Sequence, residues 1–185
     1  MEKSIQTGAA FGQNAIALLT ADHDTVKKLF KQFEKMKDGD KDEKAELVRR
    51  VCAELTVHAQ IEEEIFYPAI RETIDDDDLL DEAEVEHASA KDLIRQLEIM
   101  DPNDALFDAK VTVLGEYINH HVEEEQGQMF PKAKKAKIDL IALGAELYQR
   151  KQELMAGVAM AEAEMHSEDE NQTPRLKRKT ASGQN

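Results

Sequence analysis

Along four stretches of the chain, apolar residues recur at alternating steps of three and four, the spacing of one buried helix face. The first stretch, about Asn14 to Lys37, has the seam Ile16, Leu19, His23, Val26, Phe30, Phe33 and ends at Asp38-Gly39-Asp40. The second, about Lys41 to Thr73, has Val48, Val51, Leu55, His58, Glu62, Ile65, Ala69. Pro68 falls inside it, and because the spacing resumes afterwards, a kink is expected rather than an end. The third, about Leu79 to Met100, has Leu80, Ala83, His87, Ala90, Ile94, Leu97 and stops at Asp101-Pro102. The fourth, about Asp104 to Gln128, has Phe107, Val111, Leu114, Ile118, His121, Glu125. Gly115 sits mid-helix, where it costs about 1 kcal/mol relative to Ala; close helix packing would account for it. Asp75 to Asp78 read as a solvated loop that also caps the next helix. They lack the alternating ligands, Gly and terminal Glu of a calcium loop. After Pro131 the run KAKKAK reads as a basic loop. A fifth, amphipathic helix, about Leu140 to Met165, is expected to pack across the others or in an interface. The chain is therefore all-α, with a flexible lead-in at residues 1–13, a helical domain at 14–166 and a disordered polar, basic tail at 167–185.

Six polar residues interrupt these four seams: His23, His58, Glu62, His87, His121 and Glu125. Their heights match. His23 to Lys37 is 14 residues and Lys44 to His58 is 14 back; His87 to Met100 and Asp108 to His121 are 13 each. At 1.5 Å per residue each leg is roughly 20 Å, so two antiparallel hairpins bring all four imidazoles to one level. The chain also repeats. His58-Ala-Gln-Ile-Glu62, in VHAQIEEEIFYP, and His121-Val-Glu-Glu-Glu125, in NHHVEEEQGQMFP, each pair a His with a Glu four residues on. Such a pair lies on one helix face. Each has a Pro ten residues after its His, and a lone His, His23 or His87, lies 35 or 34 residues before it. A duplicated helical hairpin is the simplest origin.

A single His in an apolar seam is commonly a hydrogen-bonded core residue. Six polar groups at one level are different. Burying two carboxylates without compensation costs several kcal/mol each, and no Lys or Arg lies on these seams. Cations are required. Imidazole and carboxylate together suit iron, manganese or zinc. Carboxylates shared among imidazoles from four helices suit two metals about 3.5–4 Å apart.

Composition narrows the function further. Gly and Pro are sparse and Trp is absent, which favours helices. A net charge of −15 disfavours nucleic acid and anionic membranes as partners. No stretch is apolar enough to span a membrane, and MEKSIQTGAAFGQN lacks the apolar core of a signal peptide. The cytoplasm is the default location. The single cysteine, Cys52, excludes an intramolecular disulfide framework and is expected to be a buried, inert thiol.

In HHVEEEQGQMFP, HAQIEEEIFYP, ADHD and VEHA, over about residues 14–155, the chain resembles the haemerythrin-like HHE cation-binding family. The resemblance implies an up-down-up-down four-helix bundle, here with an additional C-terminal helix, around a non-haem di-iron centre. It further implies that Glu62 and Glu125 bridge two iron ions and that His23, His58, His87 and His121 are terminal ligands. The ferritin-like arrangement, a Glu with a His three residues later, is not what these runs show. Oxygen-carrying haemerythrins have a further His where this chain has Lys91. That leaves one coordination position open, or filled by water or Tyr. Tyr117, four residues before His121, either faces the site or packs elsewhere. His120 is expected at the rim or behind a ligand, Glu63, Glu64, Glu123 and Glu124 in solvent or, alternatively, supporting a ligand from behind, and His166 exposed.

The leading functional expectation is a di-iron protein whose partner is a small diatomic ligand or peroxide, bound, sensed or turned over. Turnover would require an electron donor. The alternative is a metal-holding regulatory module without redox chemistry. A histidine phosphotransfer bundle needs one exposed His rather than four in core seams.

Overall fold

A computed structural model describes residues 14–36 and 39–172, with side chains as far as Glu164. Every regular element among them is helical: α1 (Ala15–Lys35), α2 (Lys41–Ile61), α3 (Tyr67–Arg71), α4 (Asp77–Glu98), α5 (Phe107–Glu124), α6 (Phe130–Lys135) and α7 (Leu140–Gln172). Two π-helical turns, Glu62–Phe66 and Glu125–Met129, join α2 to α3 and α5 to α6 without a break. The chain thus makes five rods. α1, α2–α3, α4 and α5–α6 form the four-helix bundle, each packed against its neighbours in the ring, and α7 lies across α1 and α2. The starts of α1 and α2 follow from their caps. Asn14 accepts a hydrogen bond from the Ala17 amide, and Asp40 accepts from those of Asp42 and Glu43.

The π-turns change what the sequence pattern predicts. In each, an amide bonds a carbonyl five residues back: Tyr67 to Glu62, and Phe130 to Glu125. A proline follows immediately in both copies, Pro68 and Pro131. Proline has no N–H to donate, and its ring crowds the carbonyl four residues before it. Widening the helix by one residue accommodates both defects, so neither proline ends its rod. The expected kink at Pro68 is therefore a π-turn, and the first part of the expected basic loop, as far as Lys135, is helix α6.

The extra residue also rotates the seam. Phe66 and Ile70 are fully buried, while the expected Ile65 and Ala69 are only partly so. The seams of α1, α4 and α5 are buried as predicted. α7 continues to Gln172, beyond the expected end at Met165. The expected lead-in at 1–13 and residues 173–185 lie outside the described residues.

Two apolar layers result. One gathers Leu19, Phe66, Ile70, Leu80, Ala133 and, from α7, Leu147. The other gathers Val26, Phe30, Leu55, Ile94 and Leu114. On every rod the interrupting polar residues fall between these layers, so the four-helix core has a polar belt across its middle. Gly115 does reflect close packing: a Cβ there would lie 3.2 Å from Cδ1 of Phe30 on α1. Lys44 is buried, with Nζ 2.7 Å from Asp108 Oδ2, linking the starts of α2 and α5. Cys52 is buried, and burial, with Glu98, pushes its thiol up to about 12.

The rotated seam is testable. Phe66→Ala should lower stability by about 3–5 kcal/mol, and Ile65→Ala by about 1 kcal/mol, in urea unfolding. Equal losses would mean that the helix keeps α-register past Glu62.

Candidate metal centre

All six polar seam residues meet in the belt. The four imidazoles turn Nε2 inward in two pairs: His23 and His58 2.9 Å apart, His87 and His121 3.1 Å apart. Glu62 Oε2 lies 3.2 Å from His58 and 3.5 Å from His87. Glu125 Oε2 lies 3.1 Å from His23 and 3.6 Å from His121. Each carboxylate therefore reaches one imidazole from each pair. Neither oxygen of Glu62, nor Oε2 of Glu125, has a hydrogen-bond donor. Buried anionic oxygens facing imidazole lone pairs demand positive charge. Adjacent donors about 2.1 Å from one metal ion lie roughly 3.0 Å apart in octahedral and 3.4 Å in tetrahedral geometry, close to the spacings found. Two donor sets could each hold an ion: His23, His58, Glu62 and Glu125, and then Glu62, His87 and His121, with Glu62 common to both. The residues fit a metal site with two positions.

The outer ring nitrogens show a second layer of order. His58 Nδ1 lies 3.5 Å from Asp22 Oδ2, and His121 Nδ1 lies 2.8 Å from Glu86 Oε2. His87 Nδ1 lies 2.9 Å from Glu63 Oε1, and His23 Nδ1 lies 3.1 Å from the Gln126 amide. A carboxylate that accepts from Nδ1–H leaves Nε2 unprotonated and inward, the tautomer a metal requires. These partners obey the repeat. Asp22 and Glu86 each precede the lone His of their half; Glu63 and Gln126 each follow the Glu of theirs. Sequence reasoning passed over Asp22, Glu86 and Gln126 and gave Glu63 this role only as the alternative to a solvated one. The signal was their matched position in the two halves.

Tyr67 was also missed. Its O–H donates to Glu125 Oε1 at 3.1 Å, and its oxygen is 3.3 Å from His87 Nε2. Its counterpart Phe130 stacks on His23, with ring centroids 5.8 Å apart. Both stand directly before the prolines and are swung inward by the π-turns. Tyr117, for which both facing the site and packing elsewhere were open, is 49% exposed and does not reach the centre. Ile118 takes the inward position beside it. His120 is exposed near Glu86 and Glu124, as a rim residue should be. Glu64 is held by Arg150 on α7. The side chain of His166 lies outside the described residues.

On the side of the second apolar layer, Val26, Leu55, Ala90, Ile94, Ile118 and Val122 enclose a narrow cavity against the four imidazoles. It has room for one water-sized molecule. Lys91 lines it too, with Nζ 2.6 Å from Glu63 Oε1. Hydrogen bonding from His87, with help from Lys91, holds the Glu63 carboxyl down at about 2. Without metal, protons must balance the belt. Burial favours neutral His58, but Glu62, Asp22 and Glu125 outweigh it and push it up to about 10. Burial raises Glu125, but the imidazoles outweigh it and hold it down at about 2. Burial, then Glu125 and Glu62, push the Tyr67 phenol well above its ordinary value.

An antiparallel four-helix bundle with a buried His/carboxylate belt defines a cation-binding helical protein. Residues 14–133 match the family model described as the haemerythrin HHE cation binding domain, and the chain belongs to that family. The match stops short of α7. A haemerythrin HHE cation binding domain-containing protein from Mycobacterium kansasii has the same fold, with a TM-score of 0.70 at 22% identity, covering 80% of this chain and 91% of that one. A curated relative from Nostoc sp. strain PCC 7120, described as a DNA nickase, is 28% identical over 113 residues. The match spans 61% of this chain and only 31% of that protein. No helix among the described residues is long and apolar enough to cross a membrane.

The balance of protons fixes how the metal-free protein responds to pH. His58 stabilises the fold fully below 6.5, and its contribution is lost as pH rises through about 10. Glu125 stabilises it above 4.5, and its contribution is lost as pH falls through about 2. Chelator-treated protein should therefore melt highest between these windows and lose stability steadily above pH 6.5. A melting temperature that climbs from pH 6.5 to 9 would contradict the ion-paired belt.

Proposed function

We propose that this protein holds a non-haem di-iron centre that binds, senses or reacts with oxygen, nitric oxide or peroxide. His23 and His58 serve one position, His87 and His121 the other, and Glu62 and Glu125 link the two. The observation that carries this reading is the sharing: each carboxylate faces one imidazole of each pair, at 3.1–3.6 Å. Held there, ferrous iron would supply electrons to a small oxidant. The chain's own residues do the rest. The apolar cavity wall excludes bulk water and admits one small molecule. Glu63 and Glu86 orient His87 and His121 through Nδ1, Asp22 places a negative charge 3.5 Å from that of His58, and Tyr67 orients Glu125 and holds a proton beside His87.

Lys91 bears on the choice of chemistry. It sits beside His87 on the cavity wall, and its ammonium is held by Glu63 rather than offered as a ligand. With no further imidazole there, one coordination position on that side stays open. A more open position favours rapid oxidation, or reaction with peroxide or nitric oxide, over repeated reversible oxygenation. We place the protein in the cytoplasm, where a buried thiol such as Cys52 stays reduced and electron donors are available. A second reading, a metal-holding regulatory module, is favoured by one observation: the matching segment forms only part of the longer Nostoc protein.

Protein from iron-supplemented cells should contain two irons per chain and absorb in the near ultraviolet, with the band lost on reduction and regained in air. A reproducible value near one after full loading, or a spectrally silent metal, would overturn the di-iron reading. In stopped-flow mixing of reduced protein with oxygen, Lys91→His should lengthen the life of the first optical change at least several-fold, because a new imidazole fills the open side. If the unmodified protein survives repeated oxygenation and deoxygenation with its spectrum unchanged, it is a carrier instead.

A further inference from the structure

The two halves diverge on their outer faces. In the first half, Asp22 offers one oxygen to His58 and the other to Lys151 of α7, so a cation neutralises its outer side. Its counterpart Glu86 offers Oε2 to His121, but Oε1 faces His120 at 3.6 Å. His120 and Glu124 repeat the spacing of His121 and Glu125, one residue earlier and so about 100° around the helix. The first half has Val57 and Ile61 at these positions, both buried. The second half presents an imidazole and two carboxylates there, at the edge of an open depression that Asp78 and Glu82 also line.

We propose that Glu86, His120 and Glu124 form a peripheral site for one divalent transition-metal ion, coupled to the inner centre through Glu86. One donor atom from each lies within 4.8 Å of the other two. His120 Nε2 stands 3.6 Å from Glu86 and 3.9 Å from Glu124, too far for direct hydrogen bonds. Donors on a tetrahedral ion lie about 3.4 Å apart, so small movements of exposed side chains close the site. One imidazole with two carboxylates suits zinc or ferrous iron, whereas calcium and magnesium take oxygen donors. Three protein donors leave room for water or an incoming ligand. The ion would supply to Glu86 the positive charge that Lys151 supplies to Asp22. It would also sit one carboxylate away from His121.

The test counts zinc. Iron-loaded protein, His120→Ala and Glu124→Gln are each dialysed against excess free zinc and washed, and bound zinc and iron are measured per chain. The parent should retain one zinc more than either variant, with iron content equal in all three. The difference isolates the outer site whatever metal the inner centre prefers, so it stands apart from the di-iron reading. Equal zinc in the parent and both variants would overturn the proposal. So would loss of the extra zinc to excess magnesium, which would mark an acidic surface rather than an imidazole site. His120 is exposed and outside the core, so His120→Ala should melt with the parent; Glu124→Gln provides an independent reading.

Discussion

The burial of Glu62 and Glu125 is the constraint on which the rest of this structure depends. Both are almost wholly withdrawn from water, in the middle of a core that has an apolar layer on either side. Carboxylates there are tolerable only if positive charge meets them. The fold provides four imidazoles for that purpose, one from each bundle rod, and holds three of them from behind by hydrogen bonds at Nδ1, with Asp22 3.5 Å from that of His58. Protons can balance the belt, and so can metal ions. The donor spacing of 2.9–3.6 Å suits the ions, and the family to which the chain belongs is a cation-binding one.

The prolines and the π-turns are parts of one device. Each turn begins at a buried Glu and ends just before the aromatic residue that precedes a proline. Widening the helix by one residue satisfies the proline and swings Tyr67 onto His87 and Phe130 onto His23. π-turns recur at functional sites because they re-aim side chains without ending the helix. Here the same geometry that relieves a backbone defect places a hydroxyl 3.1 Å from Glu125.

The duplication is close in the belt and broken outside it. α7 covers α1 and α2 and gives the first half a cation, Lys151, beside Asp22. The second half keeps an open face with Glu86, His120 and Glu124. The two histidine pairs thus sit in different electrostatic surroundings although their own residues repeat. Lys91 adds to the difference by standing beside His87, paired with Glu63, on the cavity wall.

The sequence by itself determined the helices, the seams of α1, α4 and α5, and the six polar residues at one height. These follow from a period of 3.6 and a rise of 1.5 Å, which are local properties of the backbone. It did not reveal the one-residue rotation after Glu62, because a pattern search assumes α-helical spacing throughout. That assumption hid Tyr67. Asp22, Glu86 and Gln126 were hidden for another reason: each lies beside a seam and gains its role only from an imidazole on another rod. Their polarity alone matches that of any solvated residue. Tertiary packing decided which carboxylate backs which imidazole and where the cavity opens. Those outcomes depend on how separate helices are rotated against one another, and no local period records that rotation.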